Sequence, residues 1–201
     1  MRIPPPRYGV SEDALRLILH AKNEIASAPQ GARTQGRVVS SYSSQGLTPA
    51  RWLSETAFLR LVSIVEAYVD LISMSRISRT VDLTTPLMPL LVADFEIAST
   101  ANWEERFKAF ERYHGLAIKS LAGWEMVAAG IEVRNCLAHG LGQLTARQRT
   151  KTSLAAKVSI VDVAVASNQM HLSATSVTKL ADACVNFVQA LDSRIAIPPS
   201  R

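Results

Sequence analysis

Apolar residues recur every three or four positions along most of this chain, the spacing that places them on one buried face of a helix. "SEDALRLILHAKNEIA" sets Leu15, Ile18, Leu19 and Ile25 on such a face behind Ser11 as N-cap, and predicts a helix over about 12–28. Thr48 followed by Pro49 predicts the start of a second helix. There "ARWLSETAFLRLVSIVEAYVDLISMSRI" aligns Leu53, Ala57, Leu61, Ile64, Tyr68 and Leu71 over about seven turns. Residues 29–48 between them are rich in Gly, Ser and Gln without a periodic face, and read as a long flexible loop. Pro86 is expected to open a short helix to about Ala98, and Asn102 to cap another through "WEERFKAFERYH".

Beyond Gly115 a helix is expected from about Leu121, with Leu121, Trp124, Val127, Ala128, Ile131 and Cys136 toward the core and Gly140 and Gly142 at its end. "VSIVDVAV" and "MHLS" change to β-branched, strand-like character and predict a short hairpin. From Ser173 or Ala174 a last helix carries Val177, Leu180, Cys184, Phe187, Val188 and Leu191, and stops before "PPS". The sum is a mainly α, up-down helical bundle with a small β-hairpin before the C-terminal helix.

Composition supports this reading: 48% of the 201 residues are hydrophobic and 19% charged, enough apolar surface for one domain spanning 1–201. No apolar run approaches the ~18 residues that span a bilayer, and "MRIPPPRYGV" holds no signal-peptide stretch, so a cytoplasmic protein without a membrane partner is expected. Cys136 and Cys184 lack metal-ligand spacing and read as buried reduced thiols. A formal charge of +5 leans toward polyanions. Arg147, Arg149, Lys151 and Lys157 lie in a stretch without an acid, either a solvated basic loop or a strip that binds RNA phosphates. Glu66 and Asp70, one turn apart, read as a solvated face rather than a catalytic carboxylate pair.

"VRNCLAHG" sets three polar side chains in apolar surroundings. His139, in the last turn of its helix, carries an imidazole, the side chain most used for general acid–base work. Asn135, four positions earlier, shares its face. Arg134 lies roughly 140° around the helix from His139 and about 7.5 Å along the axis. One regular helix therefore splays the guanidinium and imidazole apart, unless the helix end unwinds or a second copy approaches and brings Arg134 of one chain to His139 of the other. The apolar flanks are then expected to form the dimer seam. In the competing arrangement Arg134 pairs with Glu66 or Glu125, while Asn135 and His139 cap the helix C-terminus.

The run Arg134-Asn135-Cys136-Leu137-Ala138-His139 resembles the R-x4-H motif of the HEPN superfamily, in the form carried by stand-alone and RiboL-PSP-HEPN-like nucleases. "FLRLVSIVEAYVDLI" is similar to their long early helix. Trp124, the motif, a hairpin and a closing helix are similar to their later half, so the likeness covers about 50–194. The resemblance implies catalytic Arg134, Asn135 and His139 in a metal-independent ribonuclease without a cofactor. It further implies a homodimer with one composite site, acting as a toxin or phage-defence effector, with an antitoxin or other regulatory protein as a further partner. HEPN domains that only dimerise, or bind RNA or nucleotides, are the alternative. Where toxins paired with nucleotidyltransferase antitoxins carry a modified tyrosine two residues after the histidine, this chain has Leu141, so that regulation is not carried over.

Overall fold

The computed structural model describes residues 9–27, 49–80, 84–140 and 142–195. The loop expected at 29–48, the Thr48 cap, Leu141 and the terminal "PPS" lie outside them. Eight α-helices and one antiparallel hairpin are present among the described residues, the mainly α architecture that the patterning predicts. They are α1 (Gly9–Ala26), α2 (Pro49–Thr80), α3 (Met88–Thr100), α4 (Trp103–His114), α5 (Trp124–Gly140), α6 (Ala146–Arg149), α7 (Leu154–Ser159), β1 (Ala164–Ala166), β2 (Gln169–His171) and α8 (Ala174–Ile195).

Helices α1, α2 and α8 pack on one another, and α5 lies against α2 and α8. The 32-residue α2 is about 48 Å long and contributes Phe58, Leu61, Val62, Val65, Tyr68, Val69 and Ile72 to the core. Its buried arc is wider than one stripe because helices cover it on more than one side. Leu61 and Tyr68 are buried as expected and Ile64 lies at the edge, whereas Leu53 and Leu71 are 39% and 56% exposed. Ser11 is not the expected N-cap. It sits inside α1, fully buried, and its hydroxyl donates to Asp192 of α8, tying the two helices together.

Helix α3 starts at Met88, after Pro86, and uses Pro89 in its first turn, where a missing N–H costs nothing. It runs to Thr100, past the Ala98 expected. Asn102 caps α4 as predicted, its side-chain oxygen accepting from the Glu105 N–H at 3.1 Å. A 3-10 turn, Ile118–Ser120, precedes α5, which therefore begins at Trp124 and not near Leu121. Trp103, Phe107, Trp124 and Phe187 form an aromatic cluster with centroids 5.0 to 5.9 Å apart, locking the starts of α4 and α5 to α8.

"VSIVDVAV" forms a strand only at its end. Val158 belongs to α7, and Val158, Val161 and Val163 are all buried through a turn with Asp162 at φ 60°. The alternation needed for a longer strand is absent because these valines all point to one core. Ser167 and Asn168, both at positive φ, close the two-residue hairpin, with Val165 opposite Met170.

His114 ends α4 inside the protein. Its Nε2 lies 2.8 Å from Ser73 Oγ, its ring contacts Phe110, and Nδ1 is buried without a partner among the described residues. Burial, and secondarily the nearby Arg76 cation, lower its pKa from 6.5 to about 4. The unfolded chain thus takes up a proton that the folded chain refuses. Stability contributed by neutral His114 is complete above pH 6.5 and falls as pH drops toward 4, by ~1.4 kcal/mol per pH unit at most. Urea unfolding of wild type and His114→Gln should show the wild-type advantage shrinking by roughly 2 kcal/mol between pH 7 and pH 4.5. A constant difference would show that His114 does not titrate in this way.

Candidate active site

The rotation of α5 about its axis decides what its polar residues meet. A Cβ added at Gly130 would lie 2.8 Å from Leu180 Cδ1, so glycine lets α5 approach α8 closely. Val127, Val133, Cys136 and Leu137 then turn into the core. This corrects the expected dimer seam: the apolar flanks of the motif are buried within their own chain. Ala128 and Ile131 pack at the edge of the core. Glu132, Asn135 and His139, spaced i, i+3 and i+7, emerge together on another face.

Arg134 points elsewhere. Its Nη2 lies 3.6 Å from Glu66 Oε2, and its Nη1 donates to Asn135 Oδ1 at 3.1 Å. Glu66 Oε1 also accepts from Trp103 Nε1 at 3.0 Å, while the two oxygens of Asp70 accept from Nε and Nη2 of Arg106 at 2.7 Å each. Glu66 and Asp70 are therefore paired structural carboxylates and not the solvated face expected. Of the two acids considered for Arg134, Glu66 is the partner. The bond to Arg134 occupies the Asn135 carbonyl oxygen and leaves its amide N–H groups without a partner among the described residues.

Asn135 and His139 do not cap α5 with their side chains, as one expectation had it. The Gly142 N–H bonds to the Cys136 carbonyl at 3.3 Å, with Gly142 at φ 87°. The chain then runs beside β2: the Met170 N–H donates to Gly142 O at 2.9 Å, and the Leu144 N–H to Asn168 O at 2.8 Å. The hairpin thus fixes where α6 begins. Cys136 donates through Sγ to the Gln143 carbonyl, and burial, with Glu55 nearby, raises its pKa to about 11. Both cysteines are free, buried thiols, as their spacing predicts.

Thr145 and Gln148 form a capping box at the start of α6, and Gln148 Nε2 donates to the Glu132 carbonyl at 2.7 Å. This bond docks α6 on α5 and shapes a cleft of about 400 Å³. Asn135, His139, Arg147, Lys151 and Glu132 line it, with Thr145 and Gln148 between them. His139 is exposed there and Asn135 half-buried.

The basic stretch is not a loop but two short helices, α6 and α7. Of its cations, Arg147 lines the cleft and has no ion-pair partner among the described residues. Lys151 Nζ lies 2.6 Å from Glu132 Oε1, and Lys157 Nζ reaches the same oxygen at 3.4 Å. Arg149 turns away to the Leu144 carbonyl at 3.0 Å. Burial alone would raise the Glu132 pKa, but the two ammonium groups and Gln148 outweigh it and hold the carboxyl below its ordinary value. Sequence reasoning missed Glu132, although its spacing from Asn135 and His139 marks a shared helical face. It also missed the Thr-x-x-Gln box, which is readable in the sequence.

The remaining histidines stand apart from the cleft: His20 pairs with Glu24 on α1, His114 is enclosed beside Ser73, and His171 lies on β2. No described group of three or more His, Cys, Asp or Glu is placed to hold a metal ion. No described helix is long and apolar enough to cross a membrane. Comparison with models of known families, with characterised proteins and with solved structures gives no match.

Gly142 lies at φ 87°, where a Cβ is strained, and an added Cβ would meet Arg51 Nη2 at 3.2 Å. Gly142→Ala is expected to cost ~1–3 kcal/mol and to displace α6 from the cleft. Chemical denaturation measures the first effect. Loss of the Gln148–Glu132 contact, read from amide exchange at residues 145–151, measures the second.

Proposed function

We propose that the chain is a metal-independent endoribonuclease of the HEPN type, with His139, Asn135 and Arg134 as its catalytic set. The observation that carries this reading is the cleft at the end of α5. It sets a solvent-facing imidazole beside the Asn135 amide, whose N–H groups have no partner among the described residues, and two cations, Arg147 and Lys151.

RNA cleavage by internal transfer suits such a set. A base takes the proton from a 2′-hydroxyl, the 2′-oxygen attacks phosphorus, and the P–O5′ bond breaks as an acid protonates the departing 5′-oxygen. The products are a 2′,3′-cyclic phosphate and a 5′-hydroxyl. Asn135 N–H groups and the cations bind the charge that grows on the phosphoryl oxygens. One cleft holds one histidine, so the second proton-transfer group, and an Arg134 facing the phosphate, come from a second copy in a twofold homodimer. RNA is the substrate, and a toxin or defence effector restrained by a regulatory protein is the biological role that goes with the resemblance.

Incubation with total RNA in EDTA should yield fragments ending in 2′,3′-cyclic phosphate. His139→Ala should slow this by 10²-fold or more, the usual loss for a general acid–base group, and Arg134→Ala should also abolish most of it. Cleavage that needs a divalent ion, or that survives both substitutions, would refute the assignment. Mixing the two inactive variants should restore part of the activity if one group from each chain suffices, and leave it low if all four are needed. A strictly monomeric sedimentation profile at micromolar concentration would rule out the composite site. RNA binding without cleavage by wild type would instead identify a binding module, served by Arg147, Lys151 and Lys157.

A further inference from the structure

The acid in the cleft is unexpected beside groups that would bind a phosphate. Glu132 is largely covered, with 14% of its side chain exposed, whereas Lys151 and Lys157 are 38% and 41% exposed. The carboxylate thus lies behind the two ammonium groups, and an anion arriving from solvent meets the lysines first. Glu132 Oε1 uses one acceptor position for Lys151 at 2.6 Å and another for Lys157 at 3.4 Å. Its own backbone carbonyl is engaged separately by Gln148. Lys151 carries three donors and has only this carboxylate as an ion-pair partner among the described residues, so two donors remain for phosphate oxygens.

We infer that Glu132 is the internal counter-ion of a phosphodiester subsite formed by Lys151 and Arg147, and that it limits how tightly the cleft holds the RNA backbone. This deepens, and rests on, the phosphate-binding reading of the cleft proposed above. In the free protein the carboxylate occupies the place of an anion. When a phosphate binds, Lys151 is shared between two negative groups that repel one another. Two effects of removing the acid oppose each other. Losing the anchor frees the Lys151 side chain, which weakens binding slightly, whereas losing a full charge a few ångströms from the phosphate strengthens it by roughly tenfold at low salt. The charge effect wins. Arg147, which has no ion-pair partner among the described residues, provides an attraction that does not depend on a bond to Glu132. The arrangement suits an enzyme that must release a long polyanion after each cut, because a fully unopposed cation cluster would hold the product.

The test uses the full-length protein and a single-stranded 2′-O-methyl RNA oligonucleotide, which retains the phosphates but has no 2′-hydroxyl to attack them. By fluorescence anisotropy at low salt, Glu132→Gln should bind it about 5-fold more tightly than wild type, and Lys151→Gln several-fold more weakly. In the Lys151→Gln background Glu132→Gln should still tighten binding, because the lost repulsion acts on the phosphate directly and Arg147 remains to hold it. Unchanged or weaker binding by Glu132→Gln overturns the inference, as does Lys151→Gln binding as tightly as wild type. If Glu132→Gln fails to fold, Glu132→Asp draws the carboxylate back by one methylene and should give a smaller gain in the same direction; no gain overturns it equally. Competition with inorganic phosphate separates a site for any phosphate from one needing the polymer backbone. Tightening without RNA cleavage in the earlier assay would retain the counter-ion and reject the nuclease, whereas cleavage without tightening would do the reverse.

Discussion

The close approach of α5 to α8 at Gly130 is the constraint on which the site depends. With no side chain at 130, the α5 backbone lies against the side chains of Leu180 and Val62, and in this rotational setting Val127, Val133, Cys136 and Leu137 are all buried. A 100° step per residue then distributes the polar positions without further choice. Arg134 goes toward α2 and the start of α4, where Glu66 waits, while Glu132, Asn135 and His139 go toward α6 and α7. A different rotation would bury a charge and expose the core, at a cost of several kcal/mol. The positions of the polar groups are therefore consequences of apolar packing.

The helical framework was legible because apolar spacing is a local property. Asn102 as a cap, the stripe of α8, and the buried cysteines follow from residues within a few positions of one another. The 140° between Arg134 and His139 was equally readable, since it needs only helix geometry. What local pattern does not carry is the identity of neighbours across the fold. Ser11 has the composition of a cap, yet a buried carboxylate on α8 claims its hydroxyl. Glu66 and Asp70 have the spacing of a solvated face, yet α4 brings Trp103 and Arg106 onto them. The basic run lacks acids in sequence, but Glu132 reaches two of its lysines from 19 and 25 positions away.

The small hairpin has a role out of proportion to its three-residue strands. It holds Gly142 and Leu144 by backbone hydrogen bonds, and these fix the exit of α5 and the entry of α6. A side-chain cap at the end of α5 would have consumed Asn135 or His139. Because Gly142 and the hairpin satisfy the chain there instead, both side chains remain available to the cleft. The Thr145–Gln148 box acts similarly: it closes α6 on itself and lends Gln148 to the α5 backbone, so neither Asn135 nor His139 is spent on docking.

In the proposed dimer Arg134 must serve a phosphate held mainly by another chain while remaining anchored in its own. Its contacts divide the task. At 3.6 Å the Glu66 pair is longer than a good charge-assisted hydrogen bond, and 34% of the Arg134 side chain is exposed, so exchanging that carboxylate for a phosphate oxygen loses little. The shorter bond from Nη1 to Asn135 Oδ1 can persist, because it uses a different nitrogen. Arg134 would then retain the orientation of the Asn135 amide as Nη2 turns to the ligand. Glu66, still held by Trp103, would stay in place to receive the guanidinium again when the product leaves.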